Sequence, residues 1–114
     1  MPDRTDDSPL RRPVFHILLA LAGRDMHGLG IAAEVERATD GSIELGPGTL
    51  YRSLHEMAGA GLIEEVAPTE PGADPRRKYY RITLTGRGKV ASEAERLERI
   101  VALARKRRLL PRRA

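Results

Sequence analysis

A chain of 114 residues, 40% hydrophobic and 32% charged, is about one domain long with a small core, which excludes a large enzyme with a deep enclosed cleft. Three Tyr, one Phe and no Trp make that core aliphatic, and the absence of Cys excludes disulfides and thiolate metal sites. Twenty Lys and Arg against sixteen Asp and Glu give a formal charge of +4, and the basic residues are gathered: four of the six at 76–81 and six of the nine at 105–113. Either cluster alone reads first as a solvated face, but together they suit a surface that meets a polyanion.

Residues 1–9 are polar, mixed in charge and expected to fray. They lack a signal-type apolar segment, and no apolar run reaches the ~18 residues that span a bilayer, so a cytoplasmic location without membrane contact is expected. PVFHILLALA, residues 13–22, predicts a short buried helix opened by its proline and closed before Gly23, with His16 partly buried and hydrogen-bonded. MHGLGIAAEVERATDG, residues 26–41, predicts a second helix of about three turns. Leu29, Ala32, Val35 and Ala38 or Thr39 fall inward, Glu34, Glu36 and Arg37 outward, and Asp40-Gly41 stops it. Its Gly28-x-Gly30-x-x-Ala33 matches the dinucleotide fingerprint only superficially, because a helix precedes it where a strand is required. Close helix packing explains the small residues.

The third helix is expected from near Pro47 to Gly61, with Leu50, Leu54, Met57 and Ala58 as its buried stripe. Arg52, His55 and Gly59 then point away from the core, with Thr49, Tyr51 and Glu56 on the flanks. The turn at residues 40–45 gives the second and third helices helix-turn-helix length. LIEEVAP (62–68) and RRKYYRITL (76–84) suit two strands joined by the Pro/Gly loop TEPGADP (69–75), a β-hairpin in which Tyr80, Ile82 and Leu84 face inward and Tyr79 and Arg81 outward. Thr85 is expected to cap a last helix over 86–108, ~34 Å long at 1.5 Å per residue. Its apolar stripe is Val90, Ala94, Leu97, Val101 and Ala104, flanked by Ile100 and Leu103. Elements of about ten to fifteen residues cannot easily cover that stripe, so it needs the same helix of a second copy or, as the blander alternative, the chain's own body.

Three helices followed by a hairpin is the order of a winged helix-turn-helix, an α+β fold that is mainly helical. Residues 10–85 form that unit, 86–108 a dimerisation helix and 109–114 a basic tail. Such a domain sets its third helix in the DNA major groove and its wing on the backbone or minor groove. Arg52 offers donors to guanine or phosphate, Thr49 and Tyr51 offer hydroxyls, and His55 donates or accepts. Gly48, with Gly46, removes bulk where the helix tip approaches a phosphate, or else serves a turn that needs glycine geometry. Glu56 is the odd residue, repelling phosphate unless it accepts from a cytosine amino group. Arg76, Arg77 and Lys78 straddle the duplex backbone, or one arginine enters a narrow minor groove.

HGLGIAAEVERATDG, ELGPGTLYRSLHEMAGAGLIEE and DPRRKYYRITLTGR together resemble the PadR family of winged-helix transcriptional regulators. The specific set is Gly48-Thr49-Leu50-Tyr51, then Gly61-Leu62-Ile63, then Tyr80-x-x-Thr83-x-x-Gly86, and the likeness runs from about Pro13 to Arg105. The resemblance implies a homodimer that reads palindromic double-stranded operator DNA, and repression relieved by a small-molecule effector. It implies dimerisation through the last helix with help from the first, where Phe15 stands. The single short C-terminal helix resembles the smaller subgroup of the family. Some of its members bind flat molecules between aromatic residues, including tryptophan, at the dimer centre. This chain has no Trp there to offer.

No catalytic set is visible: His16, His27 and His55 fall on different helices, and no paired carboxylates or HExxH spacing occurs. His27 beside Asp25 reads as a helix cap rather than a metal pair, so neither an enzyme nor any metal or cofactor is expected. The competing reading is a winged-helix module for protein contacts, or a non-specific nucleic-acid binder acting through the basic tail.

Overall fold

The aliphatic run after Pro13 forms α1 (Arg12–Gly23) in the computed structural model, which describes residues 9–68 and 70–111. The expected fraying of residues 1–8 and the last three residues of the basic tail lie outside this range. Val14, Ile17, Leu18 and Leu21 recur at helical spacing and are buried, the last three almost completely. His16 is half-buried, its ring edge-to-face with Phe15 at a centroid distance of 5.4 Å, and among the described residues it lacks the expected hydrogen bond. Burial, and then the charge of Arg12, lower its pKa, so the ring is neutral at neutral pH.

The short strand β1 (Met26–His27) leads into α2 (Gly28–Ala38). The inward residues of α2 are Gly28, Ile31 and Val35, with Ala32 and Thr39 half-buried, so Val35, Ala32 and Thr39 of the expected stripe face the body while Leu29 and Ala38 are exposed. Pairing of β1 fixes the phase of the helix that follows, so Ile31 is fully buried and Leu29 is left 58% exposed. The predicted stop is as expected. Asp40 and Gly41 take φ of 50° and 78°, with Gly41 N donating to Glu36 O at 2.8 Å and Asp40 N to Arg37 O at 3.2 Å. Thr39 Oγ1 donates to Val35 O at 2.8 Å and accepts from Ile43 N at 3.1 Å, shaping the turn that lays Ile43 and Leu45 on the core.

Helix α3 (Pro47–Gly59) buries Leu50, Ser53, Leu54 and Met57, while Ala58 is exposed, one step off the expected stripe. It stops two residues before Gly61. Gly61, at φ 77°, closes it, with Leu62 N donating to Met57 O at 2.9 Å. The strands β2 (Ile63–Val66) and β3 (Tyr79–Ile82) are shorter than predicted, and β1 makes the sheet three-stranded and antiparallel in the order β1-β3-β2. Tyr80 and Ile82 are inward as expected. Tyr79 is also buried, at 7% exposure, because β3 is central and His27 of β1 lies opposite and edge-on to its ring.

Leu84 is the clearest departure in the hairpin, at 88% exposure where an inward strand position was expected. The helix α4 (Leu84–Lys106) already begins there, capped by Thr83 and not by Thr85. Thr83 Oγ1 accepts from Gly86 N at 3.0 Å and donates to Gly61 O at 2.6 Å, and Thr83 N donates to Leu62 O at 3.0 Å. One threonine thus ties the end of α3, the start of β2 and the first turn of α4 together. Val90 enters the core, and the buried carboxylate of Glu93 binds Arg96 and accepts from Leu10 N at 3.5 Å. The Arg96 hydrogen bond, opposed by burial, holds the Glu93 pKa below its ordinary value.

At the far end Arg108 takes φ 64°, with Leu109 N donating to Ala104 O at 2.8 Å. An L side chain in the left-handed region costs ~1–2 kcal/mol, part of which glycine recovers. Arg108→Gly is therefore expected to slow amide exchange at Leu109 several-fold without altering the rest of the exchange pattern. Faster exchange there would refute the closure. Among the described residues no helix is long and apolar enough to cross a membrane.

Candidate nucleic-acid interface

The tip of α3 is bare for reasons written in its sequence. Gly46 is the cap residue in extended conformation, with no side-chain hydrogen bond to the helix, and Pro47 occupies the first turn with its φ preset. A Cβ placed on Gly46 or Gly48 meets no atom within 4 Å, and neither residue has a positive φ. The turn itself therefore has no need of glycine at these positions. Their smallness leaves open space and unpaired amide N–H groups at the positive end of the helix dipole.

Behind that tip, α3, the start of α2 and the wing enclose an open groove of about 570 Å³. Tyr51 and His55 line it from α3, and Arg76, Arg77 and Lys78 from the residues ahead of β3. Two of the segments singled out in the sequence therefore meet. Gly48, Thr49 and Arg52 are not part of the groove wall. Arg52 lies on the adjoining exposed face, where it has no ion-pair or hydrogen-bond partner among the described residues, and Thr49 is half-buried.

Tyr51 is half exposed and packs against the start of α2. A Cβ on Gly28 would come within 3.0 Å of its hydroxyl oxygen and 3.1 Å of Cε1, so Gly28 is bare in order to seat that ring. Packing thus accounts for the first glycine of the nucleotide-like pattern. Tyr80, on the groove floor, has its pKa raised by burial and then by Glu65 and Tyr51, which keeps its phenol protonated. Glu56, the misfit acid of α3, is held by Arg11 Nη2 at 2.9 Å, so a cation from the start of α1 offsets its charge beside the exposed face.

The three wing cations differ in their attachments. Arg76 folds back on Asp74, its Nε 3.1 Å from Oδ1 and its Nη2 3.1 Å from Oδ2, and these bonds lower the Asp74 pKa. Arg77 Nη1 lies 2.9 Å from His27 Nε2. Lys78 is exposed. His27 stands at the cap position of α2 as expected, its Nδ1 3.1 Å from Gly30 N, while Asp25 pairs with Arg81 at 3.4 Å and not with His27. Burial, and then Arg77, lower the His27 pKa; Glu70 opposes them and Arg24 adds to them. Sequence reasoning missed His27 and Arg11 as members of this face. Their partners stand 50 and 45 positions away, although His27 immediately before a helix-opening Gly28 was a usable signal.

On α4, Val90 is 6% exposed and packed in the chain's own core, and Phe15 of α1 is half-buried at the core's edge. Beyond it Ala94 is exposed, Leu97 and Ala104 are half-buried, and Ile100, Val101 and Leu103 are 49%, 37% and 48% exposed. The uncovered part of the stripe therefore begins one turn later than the sequence suggested.

A helix-turn-helix pair on a buried first helix, followed by a basic wing against its second helix, defines a winged helix-turn-helix domain. The sequence pattern of the family described as Transcriptional regulator PadR-like matches residues 17–92. The chain belongs to this family of transcriptional regulators. It is 31% identical over 85 residues to the transcriptional regulator Rv3488 of Mycobacterium tuberculosis, covering 75% of each protein. A transcriptional regulator from Clostridium thermocellum superposes with a TM-score of 0.68 at 26% identity, over 82% of this chain and 87% of that one. Bacillus subtilis PadR, solved in complex with operator DNA, shares the fold with a TM-score of 0.61 at 18% identity, over 71% of this chain and 45% of that one.

Proposed function

We propose that the chain is a cytoplasmic repressor that binds palindromic operator DNA as a homodimer and releases it in response to a small-molecule effector. Each copy reads one half-site with α3, through Thr49, Tyr51, Arg52 and His55, while Gly46 and Gly48 let the helix tip approach a phosphate. Residues 76–78 of the wing grip the backbone. The observation that carries the reading is the convergence of Tyr51 and His55 with Arg76, Arg77 and Lys78 around one open groove. The operator complex of the Bacillus subtilis relative supports it, as do the apolar side chains that α4 leaves uncovered. In this reading residues 10–85 are the DNA-binding unit and the part of α4 beyond Glu93 is the dimer contact.

The test compares specific with mixed-sequence DNA, after footprinting the region upstream of the chain's own gene. Arg52→Ala is expected to weaken operator binding by ~1–3 kcal/mol and to leave binding to mixed-sequence duplex nearly unchanged, as a base contact requires. Arg77→Ala should weaken all duplexes alike and reduce the slope of log K against log salt by ~0.9, one phosphate contact. Equal losses on both DNAs for Arg52→Ala would move it to the phosphates, and failure to protect any site at moderate salt would sink the reading.

A further inference from the structure

We infer that His27 is itself a phosphate-binding residue of this interface, and that DNA arrival transfers its one ring lone pair from Arg77 to the cap of α2. The inference rests on the DNA reading above. Both ring nitrogens of His27 face donors: Nδ1 is 3.1 Å from Gly30 N, and Nε2 is 2.9 Å from Arg77 Nη1. A neutral imidazole carries one proton and one lone pair, so it accepts from one of these donors and turns an N–H toward the other. Protonation does not resolve the conflict, because an imidazolium would present N–H to both.

Two arrangements therefore compete in the free chain. With the proton on Nδ1, Nε2 accepts from Arg77 and the cap of α2 is lost. With the proton on Nε2, the cap forms and Arg77 is repelled. The bond from the guanidinium is charge-assisted and is the shorter of the two, so the free chain holds Arg77 and leaves Gly30 N–H unmatched. Edge-on packing against Tyr79 and pairing of β1 with β3 keep the ring plane fixed, so neither nitrogen swings away from its donor.

A DNA phosphate breaks this balance. The groove that His27 and Arg77 line is open and is shared with Tyr51 and His55. Arg77 leaves the ring for the phosphate, a stronger acceptor, and the ring proton exchanges through solvent from Nδ1 to Nε2 with no change in charge. Nδ1 then caps α2, and Nε2–H donates to the same phosphate. DNA thereby strengthens the start of α2 and gains a neutral donor beside a cationic one.

Two measurements separate this proposal from the DNA reading on which it rests. The first is the tautomer of His27, read from imidazole 15N shifts about one pH unit above the usual histidine pKa, its signals identified by their loss in His27→Asn. The free wild-type ring should carry its proton on Nδ1, free Arg77→Ala on Nε2, and wild type saturated with a mixed-sequence duplex on Nε2. One tautomer in all three states overturns the proposal, and so does a duplex that binds without moving the proton. If Arg77→Ala moves the proton but the wild type binds no duplex, the lone-pair competition stands while the phosphate contact and the DNA reading both fall.

The second measurement is duplex affinity of His27→Asn. Asparagine caps a helix well but does not reach as far as the histidine ring, so α2 survives while the phosphate contact goes. Binding to mixed-sequence duplex should fall about tenfold, with the salt slope unchanged because a neutral donor displaces no counterion, in contrast to Arg77→Ala. Wild-type affinity in His27→Asn, with α2 helicity intact, overturns the proposal.

Discussion

Gly86→Ala is expected to destabilise the fold by ~3 kcal/mol or more, a large share of what a domain of this size has to lose. A Cβ at this position would lie 2.2 Å from Leu62 O and 2.9 Å from Ile82 Cγ1, and the nearer atom is backbone. Leu62 O has nowhere to go, since it accepts from Thr83 N at 3.0 Å, and Thr83 is itself tied to Gly61 and Gly86. Relief requires lifting the first turn of α4 off the sheet, which opens the core around Ile82 and Val90. Urea denaturation reads the effect as a lower midpoint. Gly88→Ala is the control, because a Cβ there meets nothing within 4 Å and should add up to ~1 kcal/mol of helix propensity. A wild-type midpoint for Gly86→Ala would mean that α4 does not start against Leu62.

This joint also marks how far the sequence could be read. The spacing of Gly61, Thr83 and Gly86 was visible as a family mark, but its cause was not, because it lies in contacts between residues more than twenty positions apart. The same blindness put the helix cap at Thr85 and Leu84 in a strand: both threonines suit a cap, and only the position of Leu62 decides between them. Within single elements the pattern served well. Asp40-Gly41 ended α2, and the apolar spacing found the buried Leu50, Leu54 and Met57 of α3. The face of α2 was misjudged because Leu29 and Ile31 offer two plausible stripes, and the choice is made outside the helix, by β1 and by the ring of Tyr51.

In the candidate interface, the bare tip of α3 was legible in Gly46-Pro47-Gly48, and the basic run at 76–78 in its composition. What the sequence did not contain was the pairing of cations. Arg76 is engaged by Asp74 only two residues away, whereas Arg77 on His27 and Arg11 on Glu56 depend on how distant segments fold together. The charges that local spacing presented as equivalent are therefore unequal. Among the described residues Arg52 has no partner, Arg77 rests on a neutral ring, and Arg76 is already paired with Asp74.

The dimer proposal yields the second large effect. Leu97→Glu combined with Val101→Glu is expected to convert the chain to a monomer and to lower its affinity for an inverted repeat by ~10²–10⁴-fold. Leu97 and Val101 stand one helical turn apart on the uncovered part of α4, half-buried and 37% exposed, next to Ile100 and Ala104. In a two-fold dimer each substitution enters the contact twice, and four carboxylates would be buried without partners, a cost no exposed helix face bears in the monomer. The two reading helices then bind independently, and the gain from linking half-sites ~34 Å apart is lost. The body of the domain should survive, because the core-forming residue of the stripe is Val90, two turns earlier, and it is unchanged. Sedimentation measures the first expectation, and anisotropy with the footprinted duplex the second, with unfolding monitored by urea. A folded double variant that still sediments as a dimer would remove α4 from the contact. One that is monomeric yet binds the inverted repeat as tightly as the parent would show that the two half-sites are read without a preformed dimer.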